Sequence, residues 1–141
     1  MRRVVILSVS VIFLVGAQLS AADFTAKDVK RAITEHIKSV SKDGVFTLAD
    51  VDDHDKVLDL EFVKIHDPVR KLGDKNYFAC TDFSLKDAKE KVYDIDFWLE
   101  PKEGKLVVFK TKVHKDPRQV AGQWVKKERY TFKGDKIVPA K

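Results

Sequence analysis

From residue 45 onward, apolar and polar residues alternate with a period close to two, which is the pattern of strands that bury one face. Turn-forming residues, mainly Asp, Gly and Pro, separate the alternating stretches. No helical pattern lies between these stretches, so we expect the strands to run antiparallel. The pattern predicts six strands, over residues 45–51, 56–66, 76–84, 91–100, 106–115 and 123–132.

Ahead of the strands, residues 25–41 carry apolar residues at the three- and four-residue spacing of a helix. Val29, Ile33 and Ile37 define the apolar stripe. Thr25, with an aspartate three residues later, resembles a capping box. A helix with one apolar stripe needs a surface to cover. We therefore predict an α+β fold, in which one N-terminal helix packs on a curved antiparallel β-sheet meander.

This order of elements, over about residues 24–132, resembles the cystatin-like roll and the related nuclear-transport-factor-like roll. The resemblance concerns the fold alone, because such rolls carry inhibitors, binding modules and enzymes alike. Cystatins have Gln-x-Val-x-Gly in the first hairpin after the helix. Here Gln-Val-Ala-Gly stands at residues 119–122, one residue short and near the C-terminus, and no proline precedes Trp124. We therefore do not predict protease inhibition.

Residues 1–22 are patterned as a secretory signal peptide. A short basic start precedes an apolar run over residues 4–15, and Ser20 and Ala22 suit the positions before a cleavage site. The apolar run is shorter than the roughly 20 residues of a membrane span. We predict cleavage after Ala22, a single mature domain over residues 23–141, and export to the periplasm or extracellular space without a stable membrane anchor. An uncleaved anchor helix is the alternative.

The charges of the chain are mixed along its length. The 141 residues carry a formal charge of +5, and the loss of Arg2 and Arg3 leaves 25 basic against 22 acidic residues. Because basic residues alternate with acidic ones, we predict no nucleic-acid partner. Cys80 is the single cysteine, which excludes an internal disulfide and a four-cysteine metal site. No nucleophile-elbow, phosphate-loop or dinucleotide motif occurs, so we predict no catalytic residue and no cofactor.

A dense acidic stretch has part of the spacing of a calcium loop. Asp50, Asp52 and Glu61 fit the first, third and twelfth positions of an EF-hand loop. His54 is a poor calcium ligand at the fifth position, and Asp55 stands where the sharp turn needs Gly. The flanking residues are predicted strands rather than helices. We interpret the stretch as a polar hairpin turn and predict no calcium site.

Two registers are open for the predicted strands 76–84 and 91–100. In one, Asp82 lies opposite Asp94 and Cys80 lies beside Asp96, which would require a cation or a raised carboxyl pKa. In the other, Phe78 and Cys80 face the core. We favour the second register, because a free cysteine is usually buried and inert.

The predicted hairpin of residues 91–100 and 106–115 can be registered from its charges. One face of the first strand is apolar, and the opposite face carries carboxylates that lysines of the partner strand would meet on the surface. The predicted cross-strand pairs are Leu99–Val107, Phe97–Phe109, Asp96–Lys110 and Asp94–Lys112. His66 and His114 each end a strand before an Asp-Pro turn, and we interpret both as turn residues, with a paired histidine site as the alternative.

The aromatic residues exceed what one 17-residue helix can cover, which predicts either an exposed aromatic face on the sheet or a small second core under the C-terminal strand. Our leading hypothesis is an exported, non-enzymatic binding or interaction module for an unidentified protein or small ligand, with a homodimer left open. The alternative is a small hydrolase or a cation-binding protein that uses an acidic sheet face, defined by Asp82, Asp94 and Asp96. We predict no metal-binding residue. The candidate ligand-binding residues are Trp98, Trp124, Tyr130, Asp94 and Asp96.

Overall fold

The computed structural model describes residues 23–141, so the predictions for the signal peptide lie outside the described residues. Within this range, no helix is both long and apolar enough to cross a membrane. One helix precedes a series of strands. The elements are α1 (Ala26–Val40), β1 (Val45–Asp50), β2 (Lys56–Ile65), β3 (Arg70–Leu72), β4 (Asn76–Leu85), β5 (Ala88–Lys102), β6 (Lys105–Val120), β7 (Gln123–Glu128), β8 (Tyr130–Lys133) and β9 (Lys136–Pro139).

The main sheet is antiparallel and strongly curled, in the order β1-β2-β4-β5-β6-β7. The short β3 also pairs with β4 and extends the ladder that β2 begins. β8 and β9 form a separate hairpin. The predicted α+β class, with one helix on a curved antiparallel sheet, is confirmed. The sequence pattern did not predict β3 or β9, and its last strand, 123–132, is in fact two strands in two sheets.

Helix α1 begins with the capping box that the sequence predicts. Thr25 accepts a hydrogen bond from the backbone N–H of Asp28, whose carboxylate accepts one from the backbone N–H of Thr25. The apolar stripe of Val29, Ile33 and Ile37 is buried against the sheet. The burial of this stripe holds the helix on one face of the sheet. The residues of β5 that share this core are Tyr93, Ile95, Phe97 and Leu99.

Register on both sides of β5 differs from the sequence prediction. Between β4 and β5, Asp82 lies opposite Asp94, Cys80 opposite Asp96, and Phe78 opposite Trp98, which is the register that we did not favour. The reason is the core under α1: Tyr77, Ala79 and Phe83 fill it from β4, so Phe78, Cys80 and Asp82 point to the opposite face. That opposite face is the acidic face.

Between β5 and β6, two bulges shift the predicted pairs. The ladder is irregular between Asp94 and Ile95 and again between Trp98 and Leu99. Phe109 consequently lies outside the core, with 47% of its surface exposed. The observed pairs are Leu99–Val108, Phe97–Thr111, Asp96–Lys112 and Asp94–Lys115, so the predicted set is wrong.

A second, smaller core lies on the acidic face. Leu72, Phe78, Trp98 and Tyr130 are buried together, with Phe132 packed beside them. Tyr130 and Phe132 belong to β8, which therefore covers this end of the sheet. Aromatic residues of the acidic face are thus buried by the chain's own C-terminal hairpin.

Arg129 fixes the point at which the chain leaves the main sheet for this hairpin. Its guanidinium donates to Asp50 at 2.7 Å and to Asp116 at 2.9 and 3.0 Å. Its backbone N–H donates to the carbonyl of His114 at 2.9 Å. Both carboxylates are buried, so one arginine ties β1, β6 and the start of β8 together.

Candidate metal centre

Four side chains with metal-binding atoms converge on the acidic face. Cys80 comes from β4, Asp94 and Asp96 come from β5, and His114 comes from β6. One ligand atom from each residue can be chosen so that all four lie within 4.8 Å of one another. Asp96 is fully buried, Asp94 is 1% exposed, and Cys80 is the least buried of the four. The group is therefore enclosed by protein, with Cys80 at its outer side.

Strand geometry explains the convergence. Asp94 and Asp96 are two residues apart on β5 and so share a face. Cys80 is directly opposite Asp96 on β4. On β6, the bulge leaves His114 without a partner between Val113, which pairs with Ile95, and Lys115, which pairs with Asp94. Bulges re-aim side chains, and this one brings His114 onto the acidic face.

The distances within the group match the spacing of metal ligands. His114 Nδ1 lies 3.7 Å from Cys80 Sγ and 3.4 Å from Asp96 Oδ1. A tetrahedral zinc ion, with bonds of about 2.0–2.3 Å, separates its ligand atoms by about 3.3–3.8 Å. These two contacts already have this spacing, and Asp94 places an oxygen within 4.8 Å of the other ligand atoms.

The carboxylates of the group are short of hydrogen bonds. Neither oxygen of Asp94 has a hydrogen-bond partner among residues 23–141, and the same holds for Oδ1 of Asp96. The nearest cation to Asp94 is Lys115, whose Nζ is 3.8 Å away. Tyr130 donates from its hydroxyl to Asp96 Oδ2 at 2.6 Å, which orients Asp96 and leaves Oδ1 directed at the group. Buried carboxylates without partners are costly and need an explanation.

Burial and the neighbouring carboxylates shift the pKa values of three side chains in the group. Burial foremost, and the neighbouring Asp96, raise the pKa of Asp94. Burial and the same carboxylates also raise the pKa of the Cys80 thiol. For His114, burial disfavours the charged ring, but Asp96 and Asp94 outweigh it and raise the pKa. All three shifts favour the protonated forms of these side chains. The group therefore lacks nearby positive charge when no metal ion is bound.

A second set of ligand atoms adjoins the first and shares Asp94. His66 Nε2 lies 2.9 Å from Asp82 Oδ2, and these two residues with Asp94 form the set. Lys126 of β7 places its Nζ 2.5 Å from Asp82 Oδ1. Burial opposes the charge on Asp82, but Lys126 and His66 prevail and lower its pKa. Asp82 is thus already neutralised, unlike Asp94.

The structure separates the aromatic candidates instead of joining them in one surface. Trp98 and Tyr130 are buried in the second core, which agrees with the alternative that we left open and not with an exposed aromatic face. Trp124 is 37% exposed on β7, with the ammonium of Lys91 4.6 Å from its ring centre. Asp94 and Asp96, expected on the surface, are buried, because the second core and β6 enclose them. The five candidates do not form one exposed patch.

The calcium-like stretch is not assembled as a site. Asp50 is buried and bound by Arg129, whereas the side chain of His54 is fully exposed in the turn after β1.

Three residues of the two ligand sets were not predicted as site residues: the sequence pattern led us to interpret Cys80 as inert and His66 and His114 as turn residues. The sequence did contain a signal for the site: a Cys-x-Asp motif at residues 80–82 and an Asp-x-Asp motif at residues 94–96. The two motifs lie opposite each other, and so form a ligand set, only in the register that we did not favour.

Comparisons of this chain with protein-family models, with curated proteins and with solved structures found no match.

Proposed function

We propose that this protein is an exported metal-binding protein that holds one divalent transition-metal ion through Cys80, Asp94, Asp96 and His114. The observation that carries the proposal is the pair of buried carboxylates: three of their four oxygens have no hydrogen-bond partner among the described residues and adjoin a thiol and an imidazole nitrogen. An ion at this point would satisfy these oxygens and supply the missing positive charge. The proposal departs from our prediction of no metal-binding residue and no cofactor.

The donor set indicates the class of metal. Thiolate and imidazole favour zinc and neighbouring transition metals, whereas calcium and magnesium prefer oxygen ligands alone. One sulfur, one nitrogen and two oxygens suit a four-coordinate zinc ion. Four protein ligands fill its coordination sphere, which is typical of a structural or storage site and not of a catalytic one. This supports the non-enzymatic hypothesis but moves the binding site from the aromatic residues to the acidic face.

A catalytic Cys-His-Asp arrangement fits the contacts less well. In such an arrangement, one ring nitrogen meets the nucleophile while the other meets the orienting carboxylate. Here Cys80 and Asp96 both approach Nδ1 of His114, and Nε2 has no hydrogen-bond partner within the described part of the chain. Burial also raises the pKa of Cys80, which opposes formation of the nucleophilic thiolate. Convergence of three groups on one point favours a shared cation.

Zinc titration of metal-free, reduced protein by calorimetry tests the proposal. We expect one tightly bound ion in the unaltered protein, and an affinity lower by at least about tenfold in Cys80→Ser and in Asp94→Asn. His54→Gln is the matched control, because His54 is fully exposed and outside the group. Circular dichroism of each variant separates lost binding from lost folding. Absence of a tightly bound ion in the unaltered protein, or equal affinity in Cys80→Ser and His54→Gln, would overturn the proposal.

Export is the second part of the proposal, and it rests on the pattern of residues 1–22. N-terminal sequencing of the protein purified from the cell envelope or medium of its producing cell should begin at Asp23. A mature chain that begins at Met1 and stays in the cytoplasm would contradict it.

A further inference from the structure

The second set of ligand atoms shares Asp94 with the proposed metal site and adjoins a lysine. His66, Asp82 and Asp94 place ligand atoms within 4.8 Å of one another. The Nζ of Lys126 sits 2.5 Å from Asp82, on the carboxylate oxygen that His66 does not contact. The side chain of Lys126 is 31% exposed, so it can leave for solvent without unfolding β7. The Lys126 ammonium therefore neutralises the carboxylate that a metal cation in this set would also bind.

Asp94 links the two sets. It is 1% exposed, and both of its oxygens lack hydrogen-bond partners in the described chain, while Oδ2 faces the Lys115 ammonium at 3.8 Å. Each oxygen therefore has room to accept a bond from a cation. Carboxylates bridge the metals of binuclear centres, which stand about 3.5–4 Å apart. A Cys80 thiolate with the carboxylates of Asp82, Asp94 and Asp96 would carry four negative charges, of which Lys126 and Lys115 lie close to two.

We infer that a second divalent cation binds to His66, Asp82 and Asp94, in competition with the Lys126 ammonium for Asp82, with Asp94 bridging it to the first ion. This inference rests on the proposed function, because the bridge requires the first ion. Three protein ligands leave coordination positions open at the second ion. Lys126 competes for Asp82, so the second ion binds more weakly than the first.

Solvent can reach the second set but reaches the first set less easily. His66 is 29% exposed in its side chain, and Asp82 and Lys126 line a cavity of about 340 Å³ together with Trp124 and Pro117. Asp82 is the ligand of the second set that lines this cavity, so we expect solvent to reach the second ion on that side. Exchange with free metal is expected at the second ion, while the first remains enclosed.

Stoichiometry of bound zinc, measured by equilibrium dialysis and elemental analysis over a range of free zinc, tests the inference. We expect one tight and one weaker ion in the unaltered protein. Lys126→Met, which removes the competing charge but keeps the chain length, should strengthen the weaker ion by at least about tenfold. His66→Gln should remove the weaker ion and leave the tight one. Lys127→Met is the control, because Lys127 is exposed and adjacent in sequence.

Each outcome of this experiment bears on one of the two proposals. A single ion in both the unaltered protein and Lys126→Met would overturn the second site and leave the proposed function standing. A second ion that persists in His66→Gln would also overturn it, because that ion would be bound elsewhere. No bound ion in any of the proteins would overturn both proposals.

Discussion

Asp82 of β4 lies directly opposite Asp94 of β5, so two carboxylates stand side by side on the acidic face. Like charges in this position repel unless they are neutralised. Lys126 and His66 neutralise Asp82 and lower its pKa. Asp94 is buried with its nearest lysine 3.8 Å away, and burial raises its pKa. Asp94, which belongs to both ligand sets, is therefore the carboxylate of this pair whose negative charge is not balanced by a close cation.

The observed register predicts opposite roles for two phenylalanines that the sequence pattern had paired. Phe97→Ala should lower the free energy of unfolding by about 3–5 kcal/mol, because it removes a fully buried ring from the core under α1. Phe109→Ala should cost less than about 1 kcal/mol, since that ring is half exposed. Urea unfolding of both variants checks the pair. Similar costs would contradict the bulged register.

Arg129 should be far more important for stability than its neighbour on the same carboxylate. Arg129→Met would leave Asp50 and Asp116 buried without their main cation and should cost about 3 kcal/mol. Arg118 also binds Asp116, but its side chain is 60% exposed, so Arg118→Met should cost under about 1 kcal/mol. Chemical denaturation of the two variants is the measurement. A larger loss in Arg118→Met would show that Arg129 does not anchor the hairpin.

His36 should make folding weaken as the pH falls. Burial lowers the pKa of His36 below its usual value, so the unfolded chain takes up the proton first. The contribution of neutral His36 is complete above the unfolded pKa of about 6.5 and is lost as the pH falls through that value toward the lower pKa of the folded state. We expect His36→Gln to lose less stability over this interval than the unaltered protein does. His54→Gln should keep the unaltered slope, because His54 is fully exposed.

The sequence was sufficient for the fold class because the period of its pattern changes from helical to alternating at one point. The stripe of Val29, Ile33 and Ile37 and the inward face of β5 were both predicted and are both buried. Register was not predictable in the same way. Bulges at His114 and near Trp98 follow from packing across the whole sheet, and no local residue pattern marks them.

The candidate site depended on that register. Asp94 and Asp96 were predicted to be surface residues because lysines alternate on the neighbouring strand, but both are buried, and Tyr130 of β8 covers Asp96. Tyr130 was predicted as part of a strand in the main sheet, whereas it caps Asp96 from a separate hairpin. Long-range coverage of this kind comes from tertiary packing, which a single sequence does not display.

Absorption spectroscopy of the metal-free, reduced protein loaded with cobalt(II) tests the central claim most directly, because it reports the ligands of the ion as well as its presence. Four-coordinate binding to Cys80, Asp94, Asp96 and His114 predicts intense visible bands together with a thiolate-to-cobalt charge-transfer band in the near ultraviolet. Cys80→Ser should lose the charge-transfer band. An unaltered protein that shows no such band on addition of cobalt, or a band that survives in Cys80→Ser, would contradict the account.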